Sequence, residues 1–428
     1  MKRKRLLLFL AIVLLALLAW FLWLREVSEH PPLPIPTASA PAVPAQELAA
    51  RGAYLARAGN CMACHTDRGG APYAGGRALA TPFGTLYASN LTPDPRTGLG
   101  AWTADDFWQA LHQGRSRDGR MLYPGFPYPN YTQVTRADAD AIFAFLRTLA
   151  PVERENTPHA LRWPYSTQAA LGVWRALYFR PGVHRDEPAQ SPQWNRGAYL
   201  VRGLGHCSAC HSTRNVLGAS DMMDLSGGMI PMQSWYAPSL ASPAEAGVAH
   251  WEQQQVVELL RDGQAPNVGA SALGPMAEVV LHSTQHLTQQ DLEAMASFLR
   301  ALPQMAPAMH APAPVASAVA ERGAALYQRH CVDCHGAQGQ GVRGAYPPLA
   351  GNRAVLLHET SNLVQAVVFG GFAPATEGNP RPFGMPPFAT LLSDADIAAV
   401  LTHIRTQWGN NAGAVSELAV AKQRGSQP

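Results

Sequence analysis

The chain opens with an unbroken apolar run, Leu6 to Leu24, preceded by Lys2, Arg3, Lys4 and Arg5. At ~1.5 Å per helical residue this run measures about 28 Å, close to the ~30 Å hydrocarbon core of a bilayer. A cleaved signal peptide has a shorter apolar core with a small-x-small site close behind it. Here the run ends in Trp20, Trp23 and Arg25, and Ala38–Ala40 follows only fourteen residues beyond Leu24. The pattern therefore predicts an uncleaved, single-pass membrane anchor over residues 1–25. The basic residues would stay in the cytoplasm, with the remaining chain in the periplasm at the inner cell membrane. Residues 26–46, with Pro31, Pro32, Pro34, Pro36, Pro41 and Pro44, read as an extended stalk.

Beyond the stalk the pattern turns helical and repeats. Apolar residues keep helical spacing at Ile142, Phe145, Leu146 and Leu149, at Leu292, Met295, Leu299 and Leu302, and at Ile397, Val400, Leu401 and Ile404. Each stretch follows a hydroxyl with an acid three residues on: Thr135 and Asp138, Thr288 and Asp291, Ser393 and Asp396. That pairing resembles a capping box and marks a helix start. Far upstream of each lies Arg51-Gly52-Ala53-Tyr54-Leu55, Arg196-Gly197-Ala198-Tyr199-Leu200 or Arg322-Gly323-Ala324-Ala325-Leu326. Repetition on this scale predicts tandem units, at 47–150, 193–302 and 319–410. The Pro-rich segment 303–318 reads as a linker and 411–428 as a tail. The connecting segment 151–192 carries Trp163, Trp174, Leu177, Tyr178 and Phe179, too apolar for a free linker, and should pack on a domain face.

Charge narrows the function classes. Only 15% of the residues are charged, against a typical ~25%, which suits compact domains. The net charge of +3 is misleading, because Lys2–Arg5 supply four of the 33 basic residues. The remaining 29 face 30 acids, a net of −1. A nucleic-acid binder should carry a basic stripe on its folded part, and none is visible.

All six cysteines fall in three copies of one motif: Cys61-Met62-Ala63-Cys64-His65, Cys207-Ser208-Ala209-Cys210-His211 and Cys331-Val332-Asp333-Cys334-His335. Cys-x-x-Cys-His is the attachment signature of c-type haem. Two thiols three apart on a turn can each form a thioether with a porphyrin vinyl group, and the adjacent His becomes the proximal iron ligand. A zinc ribbon would need the Cys pairs brought together, yet they are 146 and 124 residues apart. A disulfide scaffold belongs to short, Cys-dense chains. The count predicts three covalently bound haem c groups on Cys61, Cys64, Cys207, Cys210, Cys331 and Cys334, with His65, His211 and His335 on the irons.

A Met as sixth ligand raises the haem potential and suits electron transfer. Gly384-Met385-Pro386-Pro387 and Gly274-Pro275-Met276 sit before the closing helices of repeats three and two, so Met385 and Met276 are the candidates there. Repeat one has Leu122-Tyr123-Pro124-Gly125-Phe126-Pro127-Tyr128, with Phe126 where a Met is expected. Either Met121 reaches the iron, or another group such as His112 binds it, or the sixth position is open.

These motifs resemble those of the three-haem cytochrome c subunits of bacterial membrane-associated dehydrogenases, over about residues 47–410. The likeness also rests on Thr81-Pro82-Phe83-Gly84-Thr85, Asn90-Leu91-Thr92-Pro93-Asp94, Trp235-Tyr236-Ala237-Pro238, Tyr346-Pro347-Pro348-Leu349-Ala350-Gly351-Asn352 and Met385-Pro386-Pro387-Phe388. It implies an all-α fold of three tandem cytochrome c domains behind an N-terminal transmembrane helix. It also implies a catalytic dehydrogenase partner (a molybdenum hydroxylase, quinoprotein or flavoprotein) and ubiquinone or a terminal oxidase as acceptor. Many alcohol dehydrogenase partners have Tyr-Pro-Ala-Met-Pro-Tyr in the first loop, and the Phe126 form leans towards the molybdenum hydroxylase partners. The expected role is an electron-transfer subunit without substrate chemistry of its own. A peroxidase-like haem enzyme with an open first haem, and a free-standing carrier, are the alternatives.

Overall fold

The computed structural model describes residues 44–305 and 315–425, together with Ala11, Leu14 and Leu15. The predicted anchor run otherwise lies outside the described residues, as do residues 26–43 of the stalk. Among the described residues no helix is long and apolar enough to cross a membrane. The longest, Ala45–Ala58 and Ser317–His330, have 14 residues each, about 21 Å at ~1.5 Å per residue. Both carry charges within that length, Arg51 and Arg57 in one and Glu321, Arg322 and Arg329 in the other. The expected single-pass placement in the inner cell membrane is corrected accordingly.

The chain is mostly helical. It runs α1 (Ala45–Ala58), the short haem-motif turn α2 (Cys61–Cys64), a hairpin of β1 (Ala78–Thr81) and β2 (Gly84–Tyr87), α3 (Ala104–Gln113), α4 (Tyr128–Tyr131) and α5 (Arg136–Leu146). The connecting segment supplies β3 (Ala160–Leu161), paired antiparallel to β2, and α6 (Gln168–Tyr178). Next come α7 (Pro192–Ala198), continued as a π-helical turn over Tyr199–Leu204, then α8 (Gln253–Asp262), α9 (Pro275–His282) and α10 (Gln289–Arg300). The last unit holds α11 (Ser317–His330), α12 (Val332–His335), α13 (Arg353–Leu356), α14 (Ser361–Phe369), α15 (Asp394–Thr406) and α16 (Glu417–Arg424). The three-stranded sheet and three two-residue pairings depart from an all-α chain. They lie in the long loops between helices.

The three closing helices begin where the hydroxyl–acid pairs predict. Thr135, Thr288 and Ser393 are N-caps whose side chains accept from the backbone N–H of Asp138, Asp291 and Asp396. Each closing helix crosses an opening helix at a glycine. A Cβ on Gly52, Gly197 or Gly323 would overlap the carbonyl of Ala141, Ala294 or Ala399 respectively. The capping-box acid then receives the Arg one residue before that glycine: Arg51 to Asp138 at 2.5 Å, Arg196 to Asp291 at 2.7 Å, Arg322 to Asp396 at 2.7 Å.

Units one and two share one apolar core, which includes Leu55, Ile142, Leu200, Leu292 and Phe298. Unit three has its own, built on Tyr327, Val364, Ile397 and Leu401. The shared core is fastened by a reciprocal exchange. Tyr199 of unit two donates to Asp138 of unit one at 2.6 Å, and Tyr54 of unit one donates to Asp291 of unit two at 2.6 Å. Unit three has Ala325 at the equivalent position and joins unit two differently. Arg353 caps the carbonyls of Pro243, Glu245 and Gly247, and lies 5.2 Å over the Trp251 ring.

The connecting segment packs on unit one through buried Leu171, Arg175, Ala176 and Phe179. Arg175 donates to Gln113 O and Gly114 O at the end of α3.

Removing either tyrosine hydroxyl leaves a nearly buried carboxylate one donor short, a loss of about 1–3 kcal/mol. Tyr54→Phe and Tyr199→Phe should each lower the unfolding free energy, measured by denaturant titration, by that amount. Shifts below about 0.5 kcal/mol would show that the exchange is not stabilising. Burial pushes the Asp291 carboxyl up, but Arg196 and Tyr54 outweigh it and hold it below its ordinary value. Its contribution is thus complete above the unfolded value of ~3.9 and lost as pH falls through the lower folded one. The Tyr54→Phe deficit should shrink in that acid range.

Candidate haem-attachment sites

Each Cys-x-x-Cys-His segment forms one tight turn at the end of its unit's opening helix. The first two turns are entered through a left-handed residue, Asn60 (φ 50°) and His206 (φ 38°). The six thiols are all free, and the structure keeps the three pairs in separate turns. Among the described residues no group of three or more His, Cys, Asp or Glu could hold a metal ion. Burial pushes the Cys61 and Cys207 thiols up to about 12, and Cys331 to about 11.

The histidines are oriented alike. His65 Nδ1 lies 2.7 Å from Ser89 O, His211 Nδ1 2.7 Å from Pro238 O, and His335 Nδ1 3.0 Å from Pro347 O. A carbonyl oxygen can only accept, so each Nδ1 carries the proton and each Nε2 keeps its lone pair. Burial also pulls all three imidazoles below their ordinary value, against the opposing carbonyl bonds, so they stay neutral. A turn presenting two thiols and one aimed, neutral imidazole fits a porphyrin held by two thioethers and one axial bond.

The loops giving those carbonyls are themselves held. Asn90, next to Ser89, donates to Val152 O and Thr97 Oγ1. Pro238 follows Trp235, whose ring packs on Gly274, the N-cap of the helix α9 that carries Met276. Two arginines without any mark in the motif pattern serve the first two turns: Arg77 donates to Ala63 O at 2.5 Å, and Arg214 donates to Ala209 O. No spacing rule could have found them, since they follow their histidines by twelve and by three residues.

The turns of units one and two meet across the shared core. Ser283 and Glu278 of unit two reach Ala58 O and Arg77 beside the first turn. Asn130 of unit one donates to Arg202 O and Ser208 Oγ at the second. Burial raises the Cys210 thiol, Arg214 opposes this, and the Cys64 thiol across the interface adds to the rise.

The three methionine candidates are placed differently. Met276 packs against the shared core and Met385 against that of unit three. Met121 lies against α6, with its methyl carbon 3.5 Å from where a Gly172 Cβ would sit and its N–H on Gln168 Oε1. Phe126 packs on the shared core instead. His112 is fully buried and stacked on Trp108.

Helical units closing on such turns define a c-type cytochrome. Cytochrome c is the family whose signature matches residues 49–150 and 320–408. The alcohol dehydrogenase (quinone) cytochrome c subunit of Gluconobacter oxydans is 37% identical over 398 residues, 89% of this chain and 82% of that protein. The gluconate 2-dehydrogenase cytochrome c subunit of Pantoea cypripedii is 37% identical over 388 residues, 86% of this chain and 87% of its own length. A nicotinate dehydrogenase subunit of Pseudomonas putida is 39% identical over 364 residues, 82% of this chain but 30% of the relative. This chain belongs to the family of cytochrome c subunits of bacterial dehydrogenases. Membership implies covalently bound haem c, electron transfer and a catalytic dehydrogenase partner.

Gly274 sits at φ 59°, ψ −136°, and a Cβ there would come 2.6 Å from the Trp235 ring. Gly274→Ala should cost about 1–3 kcal/mol of strain. Thermal unfolding should show a larger loss than for Gly344→Ala, where φ is also positive but the space is open.

Proposed function

We propose that this chain binds three haem c groups and relays electrons from a dehydrogenase to ubiquinone or a terminal oxidase. It does no substrate chemistry itself. The observation that carries the reading is threefold: each of the three turns offers two free thiols and an imidazole whose Nδ1 is tied to a backbone carbonyl. In this reading the haems supply reversible one-electron chemistry. Cys61 and Cys64, Cys207 and Cys210, and Cys331 and Cys334 anchor them, while His65, His211 and His335 bind the irons through Nε2. Met276 and Met385 are the sixth ligands in units two and three, which raises those potentials. The units are 47–150, 193–302 and 319–410. The facing first and second turns make units one and two a paired relay, with unit three docked on unit two. The names of the relatives, cytochrome c subunits of alcohol and gluconate dehydrogenases among them, support a catalytic dehydrogenase as partner, and a quinoprotein, flavoprotein or molybdenum hydroxylase is the class we propose.

The pyridine haemochrome of the purified chain should give three covalent haems per polypeptide, and two or four would overturn the count. Native purification should bring down a dehydrogenase whose substrate reduces the haems. A chain that purifies alone, and that no dehydrogenase reduces, would refute the partner.

A further inference from the structure

Unit one differs from the others at the loop facing its haem turn. In units two and three a methionine ahead of the closing helix packs on the core, Met276 at the start of α9 or Met385 in a short strand pairing. In unit one it is Phe126, whose ring lies 5.5 Å from that of Tyr131. Tyr131 in turn donates to Gly59 O, two residues before Cys61, at 2.8 Å. Leu86 completes the cover, packed directly on Gly125. A phenyl ring has no lone pair to give to iron.

The other donors nearby are Met121 and His112. The Met121 thioether rests on α6 at Gly172. His112 lies parallel to Trp108 at 4.6 Å and donates from Nδ1 to Thr132 O. The Thr132 hydroxyl accepts the N–H of Gly182, which places this imidazole beneath the connecting segment. Its Nε2 has no partner among the described residues, so His112 is the rival ligand that a test must separate.

We propose that the haem of unit one has His65 as its only protein ligand and that Phe126 covers its sixth face. This rests on the three-haem reading. The reduced iron there binds small, uncharged, electron-accepting diatomic molecules, of which carbon monoxide is the probe. The haems of units two and three, closed by Met276 and Met385, do not. The cover of Phe126, Leu86 and Tyr131 is apolar, which disfavours an anion because a charge buried without a partner is costly. Lacking the axial thioether, this haem also has the lowest potential of the three.

The test uses the full chain loaded with haem, its haem count first fixed by pyridine haemochrome. Reduced wild-type protein titrated with carbon monoxide should show one haem in three binding. Phe126→Met should abolish that binding and raise the lowest potential, while Phe126→Leu, the variant safer for folding, should keep it at one in three. Met121→Ala and His112→Ala should leave the stoichiometry unchanged. Three haems with no carbon monoxide binding would overturn the inference and leave the electron-transfer reading standing. The same follows if Met121→Ala or His112→Ala creates a binding haem, which identifies that residue as the ligand. Binding that persists in a folded Phe126→Met protein would remove Phe126 from the sixth face. A haem count other than three overturns the underlying reading itself.

Discussion

A single carboxylate organises each unit. Asp138, Asp291 and Asp396 each sit in the first turn of a closing helix, where the helix dipole favours negative charge. Each carboxylate is paired with an arginine from the opening helix, and the backbone N–H of the same residue is held by the hydroxyl cap. The arginine immediately precedes the glycine at which the two helices cross, so ion pair and backbone contact fix one geometry. The haem turn hangs from the end of the opening helix, and its position follows from that crossing. Ion pairs of this kind contribute little net stability once desolvation is counted, and their better-attested role is to select one register.

The same carboxylate couples units one and two. Asp138 and Asp291 each take a second donor, a tyrosine hydroxyl from the neighbouring unit, so cohesion within a unit and pairing between units use one group. Ala325 cannot do this, and unit three keeps a separate core and docks through Arg353 on backbone carbonyls. The Tyr-to-Ala difference in the repeated motif coincides with the division of the core into a shared part and a separate one. In the pair, the first two attachment turns face each other, an arrangement suited to electron passage between them.

Function differs among the units by the same logic of small replacements. Every unit keeps the thiols and the carbonyl-tied imidazole, as the proposed covalent attachment and proximal ligation would require. The loops over the opposite side of the haem are less constrained. Phe126, Met276 and Met385 are all apolar, and any of them can fill a core. Packing tolerates the exchange, whereas the proposed iron coordination would not.

Much of this was legible in the chain. The spacing of six cysteines and three histidines marks the three tight turns at the ends of the opening helices, because groups so close in sequence must share one turn. The hydroxyl–acid pairs and the helical spacing of apolar residues mark the closing helices, because caps and amphipathic faces are local. Tertiary structure alone decided which carbonyls hold His65, His211 and His335, since those bonds join segments 12 to 27 residues apart. It also decided that Tyr54 and Tyr199 exchange acids across an interface, over 237 and 61 residues. In the sequence a tyrosine two residues beyond a helix glycine looks like ordinary core. The placement of Met121 on α6 was likewise beyond sequence reasoning, because it depends on where the connecting segment packs. What the sequence determined is chemistry set by local spacing. What only the structure decided is which distant groups meet, because those contacts depend on how helices cross and units pair.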